Sequence, residues 1–453
     1  MQNERIERAR DHLLESWLEL ATAIEAHPEI RGLLFDAVTG LPTAPLLFPR
    51  IKVLLEERGE VSLLCLNVVR YSRIEEIYGW RVFDDVMRRT GEALEEITGT
   101  DLRDSDILAE LMVSGNSFVI VLSPPRNSLT MDQDALEVLT QRVEQRVHEE
   151  LAKTIEPALF RKFGCYAGSS IIKRDDNVRL ERLVHEGLDQ ALSESHDREA
   201  VDAEQRRARL KEIIDGELVS TLVHPVIDLK DMSVVGYEAL SRGPEGGEFE
   251  RPDKLFETAY DADLVFRLER LCRRKAIQVA SSIPDDRLIF INMEPEAVAD
   301  PELREIVLGS VLADAGLAPQ QIVLEITERR AIEDFRSFRA TLEHLRTLGF
   351  ALAVDDAGAG YSSLQVLAEV RPEWLKIDLS LVRDIDTDQV RKHLVESLVM
   401  FADRISVKLV AEGVETRAEL DTLRALGVRY AQGFLFMEPV APYPADPDLS
   451  ALA

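Results

Sequence analysis

The chain has 453 residues, 45% hydrophobic and 30% charged, with a formal net charge of −29. This length supports two or three domains with cores of their own, and the composition is that of a soluble globular protein. Such a charge repels DNA, RNA and anionic membranes at long range, which argues against a nucleic-acid polymer as partner; a small phosphate ligand remains compatible where cations or local arginines reverse the sign. No stretch reaches the ~20 apolar residues of a membrane span. The start carries Glu4, Arg5 and Glu7 and lacks the apolar run of a signal peptide. Cys65, Cys165 and Cys272 lie far apart in apolar runs and form neither a metal motif nor a disulfide framework, so the expected setting is cytoplasmic.

Residues 1–31 hold one amphipathic helix, with an apolar stripe from Leu13 to Ile24 closed by Pro28. Residues 32–195 read as an α/β module. It has an apolar strand over 61–69, a helix over 71–77, a hairpin of strands 107–113 and 117–122 around Ser114-Gly115-Asn116, a strand over 164–172 and a closing helix over 180–192. Residues 196–214 are charged and contain neither Gly nor Pro, which predicts a stiff helical connector. Residues 215–453 form the last domain. There strand patterns alternate with helical ones over 264–281, 333–348, 390–404 and 417–426, the signature of repeated β/α units, a parallel sheet and a closed barrel. From Pro439 the chain is rich in Pro and Asp and reads as extended.

In this last domain the strand-like runs end in polar residues. Residues 233–237 run into Glu238, 287–291 into Asn292, and 322–324 into Glu325 with Glu328 just after. Residues 350–354 run into Asp355-Asp356, 374–375 into Lys376, 407–411 into Glu412, and 428–431 into Gln432. A β/α barrel places its chemistry at these strand ends. Carboxylates converging on one rim need cations between them. Oxygen donors without His or Cys clusters suit Mg²⁺ or Mn²⁺. A carboxylate pair such as Asp355-Asp356 can serve two ions about 3.5–4 Å apart, the arrangement that assists in-line phosphodiester displacement and supplies hydroxide near neutral pH. Lys376 adds a fixed positive charge. Alone, Asp-Asp before Ala-Gly is a turn and Lys-Ile-Asp a solvated strand end; the ordered series carries the reading.

That series comprises Glu238-Ala239-Leu240, Phe290-Ile291-Asn292, Leu324-Glu325-Ile326-Thr327-Glu328, Asp355-Asp356-Ala357-Gly358-Ala359-Gly360-Tyr361, Leu375-Lys376-Ile377-Asp378, Ala411-Glu412-Gly413-Val414-Glu415 and Gln432-Gly433-Phe434. Over residues 215–440 it resembles the EAL domain of cyclic di-GMP phosphodiesterases. The resemblance implies a TIM-like (β/α)8 barrel that hydrolyses cyclic di-GMP to linear pGpG with Mg²⁺ or Mn²⁺ in a two-metal site. It implies that Glu238, Asn292, Glu325 and Asp355 hold the first metal, and that Asp356 and Glu412 serve the second metal or its water. Lys376 would orient the attacking water, and Glu328 would anchor the loop 357–363. Arg242, Asp356 and Gln432 would contact the ligand, with Glu415 facing a guanine edge. It also implies a homodimer paired near that loop. Two departures stand out: His224-Pro225-Val226 replaces the family's Gln-Pro-Ile, and Ala357 replaces an aromatic residue. The alternative is a receptor that binds cyclic di-GMP without cutting it.

Phe35-Asp36-Ala37-Val38-Thr39-Gly40-Leu41-Pro42 resembles the start of GGDEF domains, and the likeness extends over 33–195. Here the chemistry is expected to be absent. Ser114-Gly115-Asn116-Ser117-Phe118 replaces the signature hairpin, Asn67 stands for the metal-binding Asp and Glu75 for the guanine-binding Asn. Without those carboxylates the metals that activate a GTP hydroxyl lack ligands. Arg103-Asp104-Ser105-Asp106 matches the Arg-x-x-Asp of the family's inhibitory site but reads as an exposed ion pair. The module is expected to regulate, dimerise or recruit a protein partner.

Overall fold

The computed structural model describes residues 32–452 apart from 33, 71–79, 124–130, 161–162, 295–309, 328–334, 358–362, 442 and 444–445. The expected helices over 1–31 and 71–77, Glu75, Glu328, Gly358, Gly360 and the side chain of Asp356 lie outside what is described. The chain divides into two units between Gln205 and Arg206.

In the first unit four antiparallel strands, β1 (Glu60–Arg70), β2 (Ile107–Glu110), β3 (Ser117–Leu122) and β4 (Phe163–Lys173), form one sheet in the order β2-β3-β1-β4. Both faces are covered, which is why β1 reads as an unbroken apolar run. Leu64, Leu66, Phe118 and Ile120 pack against Val86 and Leu94 of the helix Trp80–Glu96 and Leu136, Val143 and Val147 of the helix Gln133–Thr154. Leu63, Cys65, Val119 and Val121 face Ile51 and Leu55 of the helix Phe48–Arg58 and Val184, Leu188 and Ala191 further along the chain. Those last residues belong to a single helix of 36 residues, Leu180–Asp215, so the expected closing helix and connector are one element. Strand β4 is a sheet edge, and two glutamates occupy its open amides. Glu144 accepts from Ala167 N at 2.7 Å and Glu194 from Ser169 N at 2.8 Å.

Arg103 and Asp106 do not form the expected exposed ion pair. The Asp106 carboxylate accepts from the backbone amides of Arg103 (2.8 Å) and Ser123 (2.6 Å), while the Arg103 guanidinium donates to the Ser123 carbonyl at 2.5 Å. The pair pins the entrance of β2 to the exit of β3, because amides left outside the ladder need acceptors.

The second unit is a closed eight-stranded barrel. Its strands are β5 (Ser220–Asp228), β6 (Ser233–Arg242), β7 (Leu288–Met293), β8 (Ile322–Thr327), β9 (Ala351–Ala357), β10 (Trp374–Ile377), β11 (Lys408–Ala411) and β12 (Tyr430–Ala431). Neighbours pair in parallel from β6 round to β12, but β5 is antiparallel to both β6 and β12, which departs from the all-parallel expectation. The reason is the connection. Four residues join β5 to β6, tightened by Asp231 accepting from Ser233 N and Oγ, and a crossover to a parallel neighbour needs a dozen or more residues. Outside the barrel, helices Val265–Ala280, Phe335–Thr347, Gln389–Ile405 and Arg417–Ala425 cover the strands through residues such as Ile277, Leu342, Val395 and Leu420. After Pro439 the chain is tied to the barrel by a Val223–Val440 bridge and by Asp446, which accepts from Tyr237 Oη and pairs with Arg287.

Inside the barrel Val226, Phe290, Val323, Ala353, Trp374, Val410 and Tyr430 form one apolar layer, with the Trp374 ring edge-on to Phe290. Beside them on β6 lies Gly236, where a Cβ would come within 2.3 Å of the Leu288 carbonyl oxygen. Side chains two apart in a strand share a face. The residues two further toward the rim are therefore His224, Glu238, Asn292, Glu325, Asp355, Lys376, Glu412 and Gln432, one from each strand or its immediate end.

Candidate active site

This polar layer closes on Lys376. Its side chain is 1% exposed, and its Nζ lies 2.6 Å from Glu412 Oε1, 3.1 Å from Glu325 Oε1, 3.2 Å from Glu238 Oε2 and 3.5 Å from Asp355 Oδ1. Glu238 is held further by Asn292 Nδ2, which donates to Oε1 at 2.9 Å, and by Gln432 Nε2, which donates to Oε2 at 2.9 Å. Gln432 Nε2 also lies 2.8 Å from His224 Nδ1. His224 reaches this rim from mid-strand because β5 runs in reverse and places it opposite Glu238 in the register.

One ammonium faces four carboxylates, so the set cannot remain fully ionised in a dry interior without further positive charge. Burial pushes the Glu238 carboxyl up, but Lys376, with the Asn292 and Gln432 donors, outweighs it and holds the group at about 2. Burial drives Glu325 well above the ordinary carboxylate range, opposed by Lys376 and reinforced by the neighbouring carboxylates. Glu412 rises for the same reason, burial first and then Asp355. Burial would lower the Lys376 ammonium, yet the surrounding carboxylates raise it well above its usual value. Burial lowers the His224 imidazole, with Glu238 opposing.

The donor set suits a hard divalent cation: carboxylate and carboxamide oxygens, with Glu325 Oε1 buried and accepting no hydrogen bond despite its nearness to Nζ. Among the described residues no three acidic, His or Cys side chains stand together at metal-ligand spacing; the carboxylates converge on the ammonium of Lys376.

Of the residues singled out from the sequence, Glu238, Asn292, Glu325, Asp355, Lys376, Glu412 and Gln432 are brought together. Arg242 follows on the Glu238 face of β6, half-buried, donating to the Ser241 carbonyl at 2.9 Å. Glu415 is not drawn in: it is exposed and ion-paired with Arg383. Ala357 is buried at the end of β9.

The family model of the EAL domain matches residues 206–439, more than half of the chain. The chain belongs to the EAL domain family. The model of the diguanylate cyclase GGDEF domain matches residues 33–200, so the EAL unit follows a GGDEF unit in tandem. Among curated relatives, the uncharacterized protein y4lL of Sinorhizobium fredii is 29% identical over 89% of this chain and 49% of its own length. The cyclic di-GMP phosphodiesterase NbdA of Pseudomonas aeruginosa is 27% identical over 92% of this chain and 54% of its own. The chain thus spans about half the length of these relatives. The solved structure of the EAL enzyme Bd1971 in a cAMP-bound form, 24% identical, covers 61% of this chain and 78% of that one with a TM-score of 0.50, a likeness of fold. Among the described residues no helix is long and apolar enough to cross a membrane.

Proposed function

We propose that the EAL unit is a divalent-cation-dependent phosphodiesterase that opens cyclic di-GMP to linear pGpG. The observation that carries this is the single polar layer in which Lys376 is ringed by Glu238, Glu325, Asp355 and Glu412. Family membership and the name borne by NbdA supply the substrate class. Glu238, Asn292, Glu325 and Asp355, with Asp356 beside them in sequence, would hold Mg²⁺ or Mn²⁺. When bound, such ions neutralise phosphoryl charge and acidify water.

The chain's own residues have separate tasks. Lys376 presents a fixed, desolvated positive charge to the water and to the phosphoryl oxygens as charge develops. Glu412, 2.6 Å from that ammonium, would take the proton of the water once bound cations offset the burial that raises its carboxyl. The water oxygen bonds to phosphorus, the bond to the ribose 3′-oxygen breaks, and that oxygen takes a proton from solvent. Arg242, farther out on the same face, meets a phosphate or base edge.

The GGDEF unit is read as regulatory. Asn67 Oδ1 accepts from Asn116 Nδ2 at 3.0 Å and from Ser117 Oγ at 3.1 Å, so the hairpin is closed by amide and hydroxyl groups where a cyclase would need carboxylates. The deciding experiment incubates the full chain with cyclic di-GMP in Mg²⁺, Mn²⁺ or EDTA and resolves products by chromatography. Cation-dependent pGpG is the expected result. Retained, uncut ligand would make the protein a receptor. Cyclic product from GTP would overturn the reading of the GGDEF unit.

A further inference from the structure

Glu238 is fixed from two sides, and one of them leads back to His224. The Gln432 atom facing Glu238 Oε2 at 2.9 Å is the amide nitrogen, which donates there. One of its N–H groups is spent there. The other points to His224 Nδ1, 2.8 Å away. Nδ1 therefore accepts, and the proton of the neutral ring sits on Nε2. His224 and Gln432 are 8% and 2% exposed; among the described residues His224 Nε2 and Gln432 Oε1 complete no hydrogen bond, while backbone groups of Met437 and Gly433 lie against the imidazole. The imidazole is steadied by the Phe434 ring, 6.1 Å away and tilted by 57°. The His224 acceptor thus uses the second hydrogen of the amide that binds Glu238.

We propose that His224 is a positioning residue for Glu238: its Nδ1 anchors the Gln432 carboxamide, and that carboxamide fixes the Glu238 carboxylate in the orientation in which it would hold a divalent cation. The inference rests on the cation-dependent reading of the barrel and adds to it how this chain prepares one carboxylate from the strand that runs in reverse. A side chain that orients a ligating carboxylate is worth about tenfold to a hundredfold in cation affinity.

The test titrates the full chain with Mn²⁺ in the absence of nucleotide. His224→Phe keeps the ring volume and removes the acceptor; Mn²⁺ affinity is expected to fall by about tenfold or more. His224→Asn, whose carboxamide oxygen sits near the position of Nδ1, is expected to bind Mn²⁺ like the wild type. In a Gln432→Ala background His224→Phe should cause no further loss, because the relay is already cut. Unchanged affinity in His224→Phe, or additive losses in the double variant, overturns the proposal. Imidazole ¹⁵N shifts of the wild type, assigned with His224→Asn, give a second readout that needs no cation. A protonated Nδ1 sinks the relay and leaves the proposed activity standing. An accepting Nδ1 in a protein that binds no Mn²⁺ supports the relay and sinks the cation reading instead.

Discussion

The ammonium of Lys376 and the carboxylate of Glu412 meet at 2.6 Å inside the barrel, the shortest of the four carboxylate contacts that Lys376 makes among the described residues. Lys376 is the central counter-charge of the layer as well as a candidate catalytic group, so its removal should be felt twice. In Lys376→Met, turnover of cyclic di-GMP is expected to fall by at least about 10²–10³. Breaking a buried charge set is also expected to cost about 3–5 kcal/mol of stability in EDTA, part of which Mg²⁺ should restore. Chromatographic rates and thermal midpoints read the two effects separately, and wild-type turnover in the variant would falsify the assignment.

Both oxygens of Glu325 lie near the same ammonium: Oε2 accepts its hydrogen bond at 3.3 Å, and Oε1 stands 3.1 Å away. In Glu325→Gln one of those positions becomes an N–H donor facing Nζ whichever way the amide turns. A loss of about 1–3 kcal/mol in stability is expected from the opposed donors. Mn²⁺ affinity should fall by about tenfold to a hundredfold. A calorimetric titration that finds wild-type Mn²⁺ binding would remove Glu325 from the ligand set.

Gly433 follows Gln432, and a Cβ there would lie 2.2 Å from the Val414 carbonyl oxygen and 2.3 Å from its amide nitrogen. Backbone cannot retreat as a flexible side chain can. Gly433→Ala should therefore shift Gln432 off Glu238, lowering stability by about 1–3 kcal/mol and turnover with it. Full activity with an unchanged midpoint would mean that the close approach has no bearing on the site.

Glu110 of the first unit gives a pH test. It is buried and accepts a hydrogen bond from Thr39 Oγ1, and among the described residues its Oε2 has no hydrogen-bond partner. Burial raises its carboxyl to about 7, against the Thr39 bond and with Asp36 adding to the rise. A carboxyl with a raised folded-state pKa stabilises fully below its unfolded value and loses that contribution as pH rises through about 7. The wild type should thus lose more stability than Glu110→Gln on going from about pH 5 to about pH 9. Parallel melting curves for the two proteins across that range would refute the shift.

Much of the polar layer is legible in the sequence because each strand there is an apolar run stopped by a polar residue, and a period of two then fixes which face it takes. Glu238, Asn292, Glu325, Asp355, Glu412 and Gln432 follow from that pattern. The central position of Lys376 does not. Between Leu375 and Ile377 it reads as a solvated strand end, and only closure of the barrel buries it. The reversed direction of β5 is not legible because apolar content carries no direction; the four-residue connection to β6 is the available signal. The helix Gln133–Thr154 carries Leu136, Thr140, Val143, Val147 and Leu151 at helical spacing, a legible pattern in a segment without strand signals. The role of Asp106 is not legible, because capping of amides distant in sequence leaves no local trace.

The one-residue-per-strand layer also says what can change without harm. Its residues sit at the height of the barrel's own cross-section, directly above the layer of Phe290 and Trp374. Rim loops can be lengthened, exchanged or retuned for new ligands while the central charges keep their spacing. A slip of one residue in any strand would instead turn its polar group outward among the covering helices. The barrel's hydrogen-bond ladder is thus the ruler that spaces these charges, and its error tolerance is zero residues in the strands and generous in the loops.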